Sequence, residues 1–392
     1  MDLERLRSAQ MGELVPISGL DADHGPFDYF AFVPIDLPDD IPPLRSETLT
    51  AVVNAERALS RLGQACQRLG EPSLLVRPAL WRESLQTSAI EGTHGTLEAL
   101  LEADLPNHRF VTPETAEIRA YERVALAAHQ DIEHRPITVG LLSAYQRELF
   151  REAPDPPQDL GGVRTHQVFI GPKGRPITDA RYVPPPPDDR LSVGLERWEQ
   201  WLSLPMDHLP GVVRAALAHY QFESLHPFGD GNGRLGRLVI VLQLLREGWL
   251  DFPALSVSPW LYTHREAYHR QLFEVSATGT WDDWIRFFAH AVCAQSESSI
   301  AGANALLAWR EGAVREVRSR GWGGAAIDII DGFLEWPLST VAEVATRHGV
   351  SQMTAARAIK RLVEADVLSN LDDRKYGRVF AARQVMDIVE EI

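Results

Sequence analysis

Cysteine is nearly absent from this chain of 392 residues; Cys66 and Cys293 are the only two, and they lie far apart in sequence. That usage supplies neither a disulfide framework nor a thiolate metal cluster, and a reducing compartment is the expected setting. No apolar run approaches the roughly 18 residues that a membrane-spanning helix requires. The first residues, Met1-Asp2-Leu3-Glu4-Arg5-Leu6-Arg7, contain acids and no apolar stretch, so a secretory signal is not expected and a cytoplasmic location is. Basic charge is in short supply too. With 39 Lys and Arg against 54 Asp and Glu, the net charge of −15 argues against a general polyanion binder, though a local basic face remains open. Internal repeats and low-complexity tails are missing as well. What is present, 45% hydrophobic and 24% charged residues, is ordinary globular composition, and the length suggests two or three domains.

Hydrophobic spacing then organises the chain. Pro16, Pro26, Pro34, Pro38, Pro42 and Pro43 predict an extended, irregular entry between residues 15 and 45. From Ser46 to Leu69, the positions Leu49, Val52, Val53, Leu59, Leu62, Cys66 and Leu69 recur at helical spacing. Helices are expected next at about 78–90 and 96–103, and another opens at Thr112-Pro113-Glu114, a cap followed by proline at the first helical position. Others follow at about 138–152, 190–203, 210–222, 234–247, 263–276 and 281–310. Val168-Phe169-Ile170, bounded by glycines within residues 161–171, reads as a short hairpin, and Pro184 to Pro187 form a stiff break. The pattern breaks again around Arg320–Gly324. The expected division is an N-terminal helical region at 1–110, a core at 111–320 and a small α+β unit at 321–392.

The chemistry concentrates in His226-Pro227-Phe228-Gly229-Asp230-Gly231-Asn232-Gly233-Arg234-Leu235-Gly236-Arg237. Gly231 and Gly233 let backbone N–H groups approach an anion. The apolar run behind them places the loop at a helix N-terminus, where free N–H groups and the macrodipole favour negative charge. Asp230 suits Mg²⁺, a hard cation that takes carboxylate and phosphate oxygens. Arg234 and Arg237 stand three apart, so both forks can reach one polyphosphate. His226 is the one group there that takes a proton near neutral pH. Phosphoryl or nucleotidyl chemistry is the reading these residues give.

The stretch resembles the signature of Fic domains, His-x-Phe-x-Asp/Glu-Gly-Asn-Gly-Arg-x-x-Arg, with every specified position filled. The resemblance implies a mainly α fold, with a helical core, a short β-hairpin flap, an N-terminal helical region and a small winged-helix domain. It implies transfer of AMP from ATP to a Ser, Thr or Tyr hydroxyl of a protein, possibly the chain itself, with Mg²⁺ as cofactor. His226 would take the hydroxyl proton and Asp230 would hold Mg²⁺. Asn232 with the Gly231 and Gly233 amides would line the anion hole. Arg234 would fix the phosphates, Arg237 would hold the γ-phosphate, and Phe228 would anchor the nucleotide loop. Tyr268 and the aromatics of residues 281–288 resemble the adenine side. Thr165, Gln167, Val168, Phe169, Ile170 and Gly171 resemble the flap on which a target segment docks by strand addition.

Thr87, Glu91 and Gly92 resemble the inhibitory helix of the family, in which the glutamate pairs with the second motif arginine, here Arg237. That implies low basal activity; in another branch the same glutamate serves AMP removal. Past Leu338, two short helical stretches joined near Gly349, the second capped by Ser351, make a helix-turn-helix pattern. Gln352, Arg357, Lys360 and Arg361, with Arg374 and Lys375 on a wing, are candidates for DNA contact. Between 347 and 378, seven Arg and Lys face four Asp and Glu, a modest local excess. Protein docking, a homodimer contact, or a DNA-binding regulator whose nucleotide site only senses are the competing readings.

Overall fold

The computed structural model describes the chain apart from residues 22, 69–71, 106–110, 173, 206–207 and 372–376 and the side chains of residues 68 and 73. Two compact units emerge. The first comprises Met1–Ser60, Ala120–Asp251 and Val257–Ala294; the second comprises Arg61–Arg119, Phe252–Ser256 and Gln295–Ile392. These units interleave along the chain, whereas the sequence reading divides it into consecutive ranges. The fold is mainly α, and the expected helices form close to their expected places, the last running further, from Trp281 to Ser319.

In the first unit the helix Gly211–Leu225 is the centre of the core: every residue of it but Glu223 is buried. Its sequence is apolar nearly all round, which marks a helix surrounded by others rather than one lying on a surface. The indoles of Trp198 and Trp284 each donate to its backbone, at Ala218 O and Ala216 O, 3.0 Å in both cases. Beside it lies the helix Asn232–Arg246, which carries the second half of the motif. Close approach depends on Gly236: a Cβ there would stand 2.4 Å from Glu223 Oε1 and 3.0 Å from Phe222.

The proline-rich entry is extended, as expected above, but as far as Pro34 it is regular, an antiparallel hairpin of Gly12–Asp21 and Gly25–Pro34; residues 35–45 carry no helix or strand. The register explains how it tolerates proline. Ile35 N–H donates to Met11 O, whereas Phe32 N–H points away from its partner strand, to Val183 O. Even-numbered pairs such as Leu14–Phe32 are therefore the non-hydrogen-bonded ones. Pro16, Pro26 and Pro34 all fall on those pairs, so their missing N–H groups cost the ladder nothing.

Two histidines of this unit are buried in the uncharged form. Burial pushes His129 down to about 4, and burial aided by the Arg237 charge pushes His219 down to about 3, both from an ordinary 6.5. Between those values and 6.5 the unfolded chain binds protons that the folded chain does not. Stability is thus complete above about pH 6.5 and declines as pH falls toward 4. His129→Leu is expected to shrink the loss of unfolding free energy between pH 7 and pH 5 by about 1–2 kcal/mol. Urea unfolding at the two pH values checks this, and an unchanged difference would refute it.

In the second unit, the helix Ser73–Ile90 and the helix Leu97–Glu102, capped by Thr96, share a core with the C-terminal residues. Trp81, Leu97, Leu100 and Ile118 pack with Leu338, Val379, Met386 and Val389. Two guanidiniums lie against Trp336, Arg77 at 3.5 Å and Arg347 at 4.2 Å from its ring centre. A capping box of Thr340 and Glu343 opens the helix Val341–Arg347, Gly349 turns the chain at φ 61°, and Ser351 caps the helix Gln352–Glu364. Short strands Leu338–Thr340 and Ser369–Asn370 pair antiparallel on either side of Val379–Ala381. No helix among the described residues is long and apolar enough to cross a membrane.

Candidate active site

The motif loop is a sharp connection between two buried helices. The helix Gly211–Leu225 ends on His226, which takes the left-handed conformation (φ 50°, ψ 63°) and returns its N–H to Phe222 O at 2.9 Å. Non-glycine residues there cost roughly 1–2 kcal/mol and persist only where the surroundings hold them. The imidazole is 18% exposed, with Nδ1 3.2 Å from Glu223 O and 4.0 Å from the Glu223 carboxylate. A carbonyl only accepts, so Nδ1 carries the proton and Nε2 is the nitrogen left to accept one.

The loop then locks on itself. Asn232 Oδ1 accepts from Phe228 N–H at 2.9 Å, and its Nδ2 donates to Phe228 O at 2.8 Å. The Asn232 side chain, expected to line an anion hole, thus holds the loop's own backbone. Phe228 is fully buried against Phe222. Gly231 opens the motif helix at φ 87°, and no side chain caps that helix. A Cβ at Gly231 would lie 2.9 Å from Phe150 and 3.1 Å from Leu149. The first-turn N–H groups, Gly233 among them, therefore form an anion-ready terminus.

Arg234 sits in that first turn and Arg237 in the next; they are 2% and 1% exposed. The Arg234 guanidinium lies 5.0 Å from the centre of the Phe150 ring and 3.8 Å from the Asp230 carboxylate. Two guanidiniums behind a helix N-terminus favour an anion there. Asp230 by contrast is 65% exposed, with one oxygen accepting from Gly231 N–H at 2.6 Å. No cluster of three or more acidic, His or Cys groups suited to a metal occurs among the described residues. A single exposed carboxylate does fit Mg²⁺, which keeps waters and takes its other ligands from substrate phosphates.

Tyr268, expected on the adenine side, is buried in the core. Its hydroxyl donates to His219 Nε2 at 2.7 Å, while His219 Nδ1 donates to Gly236 O at 2.9 Å. That chain ties the motif helix to the helices behind it; His219 went unread in the sequence because a lone histidine in an apolar run carries no motif.

The flap stretch forms one antiparallel bridge, Ile170 to Tyr182, where a hairpin was expected. Ile170 spends both backbone groups on residues 181 and 182. Gln167 Nε2 donates to Pro184 O, and Thr165 donates to Asp159 through both N–H and hydroxyl. Phe169 packs against the cluster of Val15, Ala31, Ile177, Ala180 and Val183, and a Cβ at Gly171 would stand 3.1 Å from Ala180. Arg164 opens the segment that resembles the flap, but the sequence assigns it no role of its own, since a lone arginine after Gly161-Gly162-Val163 carries no further signal.

In the second unit Thr87 is buried and Glu91 is exposed at the C-terminal cap of Ser73–Ile90, which Gly92 ends at φ 97°. Gln352, Met353, Arg357 and Lys360 are exposed on one helix; Lys360 lies 3.7 Å from Glu364, and Arg361 lies 5.7 Å from the centre of the Trp322 ring. Arg374 and Lys375 lie outside the described residues.

Residues 136–244 match the Fic/DOC family, and residues 49–130 match the Fic/DOC family N-terminal region. The protein adenylyltransferase Fic of Culex quinquefasciatus is 35% identical over 134 residues, covering 34% of this chain and 23% of that protein. The protein of the same name from Drosophila virilis is 40% identical over 94 residues, covering 24% of this chain and 17% of that protein. The chain thus spans 23% or less of the length of these relatives. A solved Fic family protein from Desulfovibrio desulfuricans G20 superposes with a TM-score of 0.55 at 20% identity, covering 88% of this chain and 98% of that one. That likeness speaks for the fold alone.

Proposed function

The chain carries a Fic/DOC family domain behind the family's N-terminal region, and from that premise we propose that it is an autoinhibited protein adenylyltransferase. It transfers AMP from ATP to a Ser, Thr or Tyr hydroxyl of a protein. The observation that carries the reading is the placement of His226 beside an uncapped helix N-terminus backed by two buried arginines. A proton acceptor and a polyphosphate cradle are thereby joined by one locked loop.

In this reading His226 Nε2 takes the proton from the target hydroxyl as its oxygen forms a bond to the α-phosphorus and the bond to pyrophosphate breaks. The first-turn N–H groups stabilise the charge that grows on the α-phosphate oxygens. Arg234 and Arg237 hold the outer phosphates. Asp230 is the residue that would hold Mg²⁺, which would supply positive charge against the phosphates. Asp230→Ala should raise the Mg²⁺ concentration needed for ATP binding while leaving the melting temperature of the free protein unchanged. Nucleotide-binding titrations across a magnesium series, with a thermal melt beside them, check this.

Glu91 is the brake on this reading: it pairs with Arg237 and keeps the γ-phosphate from its productive place. Thr87 and Gly92 support it, one buried within the helix and one ending it. The test is transfer of label from α-labelled ATP by the wild type and Glu91→Gly. Release should raise the rate at least about tenfold, which corresponds to ~1.4 kcal/mol. No label in either chain, on itself or in lysate, would sink the reading. Loss of label from a modified partner, dependent on Glu91, would instead favour AMP removal.

A second reading concerns the C-terminal residues. The Ser351-capped helix exposes Gln352, Arg357 and Lys360 on one side, which supports a winged helix at 321–392 that meets DNA. Salt-dependent binding to defined DNA, lost in Arg357→Ala/Lys360→Ala, would favour it. A concentration-dependent homodimer that masks those residues would count against it.

A further inference from the structure

We infer that Arg164 is the positioning residue of the base: its guanidinium and its amide together hold the turn that presents His226 and tie that turn to the flap. This rests on the transfer reading above, in which His226 takes the proton. Arg164 is 2% exposed. Its Nε donates to His226 O at 2.8 Å, and its Nη2 donates to Pro185 O at 2.6 Å and to Leu225 O at 3.4 Å. Its Nη1 donates to His166 O at 3.2 Å, and its own N–H donates to Pro227 O at 2.9 Å. Three consecutive carbonyls, Leu225, His226 and Pro227, are thus taken by one residue.

The arrangement answers two physical questions. The last carbonyls of a helix have no partner within it and ordinarily turn to water; here Leu225 and Pro227 are buried and His226 partly so, and a guanidinium takes the place of water. His226 sits in a backbone region that residues with a Cβ avoid; besides it only Asp366 does so among the described non-glycine residues. Such a conformation survives where its surroundings over-determine it, and Arg164 fixes both sides of its peptide. Burial lowers the guanidinium to about 10, which leaves it charged at neutral pH. Charge-assisted bonds to carbonyls hold more firmly than neutral ones.

The same fork reaches His166 O at the start of the flap and Pro185 O in the proline run that follows it. Base and docking segment therefore share one anchor, so Arg164 sets the distance between Nε2 and a hydroxyl presented there. The phosphate cradle is held separately, by the Asn232 and Phe228 pair. The two functions separate on that basis. Loss of the fork should reduce kcat while leaving the ATP site intact.

The experiment compares Glu91→Gly with Glu91→Gly/Arg164→Lys and Glu91→Gly/Arg164→Ala in the full chain. Lysine keeps the charge but cannot hold several carbonyls at once. We expect kcat to fall about 10²-fold in both, the usual cost of misplacing a reacting group by an ångström. KM for ATP should stay within about twofold, since only interactions special to the transition state are lost. Added guanidinium ion should restore part of the rate in the alanine chain, while equal sodium chloride should not. Unchanged kcat, a parallel loss of ATP affinity, or no rescue in a folded alanine chain would each overturn the assignment. If the alanine chain does not fold, the lysine chain decides through its kcat and KM. If the Glu91→Gly parent itself transfers nothing, the transfer reading falls first. Arg164 is then judged by the His226 ring resonances in Arg164→Lys, with His219 as the core control. Movement of His226 alone would support its role, and an unmoved His226 would refute it.

Discussion

Replacing His226 by alanine in a Glu91→Gly chain is expected to lower AMP transfer by about 10²–10⁴-fold, the range in which a positioned general base acts. The Nδ1–H donates to Glu223 O, so Nε2 is the ring nitrogen that carries no proton. That nitrogen can accept a proton near neutral pH, whereas the Phe228 N–H and the Asn232 amide are taken up in the lock of the loop. His226→Gln, which keeps a polar side chain but accepts no proton at neutral pH, should fare no better than alanine. Mg-ATP affinity should change by no more than about twofold in either, because the cradle begins beyond Phe228 and uniform binding is untouched. Rates from α-labelled ATP and affinities from calorimetry separate the two effects. A His226→Ala chain as active as its parent would remove the base from the mechanism.

The second large effect should come from Asn232, which no substitution can replace. Alanine deletes two buried hydrogen bonds and leaves the Phe228 N–H and C=O without partners. Each orphaned group costs about 1–3 kcal/mol. Aspartate can still accept from Phe228 N–H but sets a carboxylate oxygen against Phe228 O and a negative charge at a phosphate site. Both variants should lose ATP affinity and transfer together, and Asn232→Asp should lose more affinity than Asn232→Ala. That order distinguishes a loop lock under an anion site from a simple packing residue, for which the isosteric aspartate would be the milder change. Calorimetric titration with Mg-ATP settles the order, and thermal melts of the free proteins report the shared loss of loop stability.

These two residues also show how differently a site can be read. His226 and Asn232 both stand in the motif and were assigned from it, yet only the folded loop shows that the Asn232 amide turns inward to Phe228. The Gly231 conformation was legible, since only glycine takes φ 87° without strain while passing so near Phe150. Tyr268 was placed by resemblance on the adenine side, and the fold buries it with its hydroxyl on His219. Proline told of irregularity between 15 and 45, and register overruled it as far as Pro34.

Sequence by itself determined what depends on neighbours along the chain. Helical period, the cap and proline at Thr112-Pro113, the Ser351 cap, the Gly92 stop and the order of groups along 226–237 all act over a turn or less. Backbone sterics and local dipoles decide them before any tertiary contact forms. Tertiary structure alone decided what depends on groups far apart in sequence. Arg164 meets His226 across 62 positions, His219 meets Tyr268 across 49, and the prolines of one strand find harmless positions only once the other strand sets the register. No periodicity records such meetings, because a buried fork or imidazole takes whatever acceptors the packing brings to it, and packing is a property of the whole core.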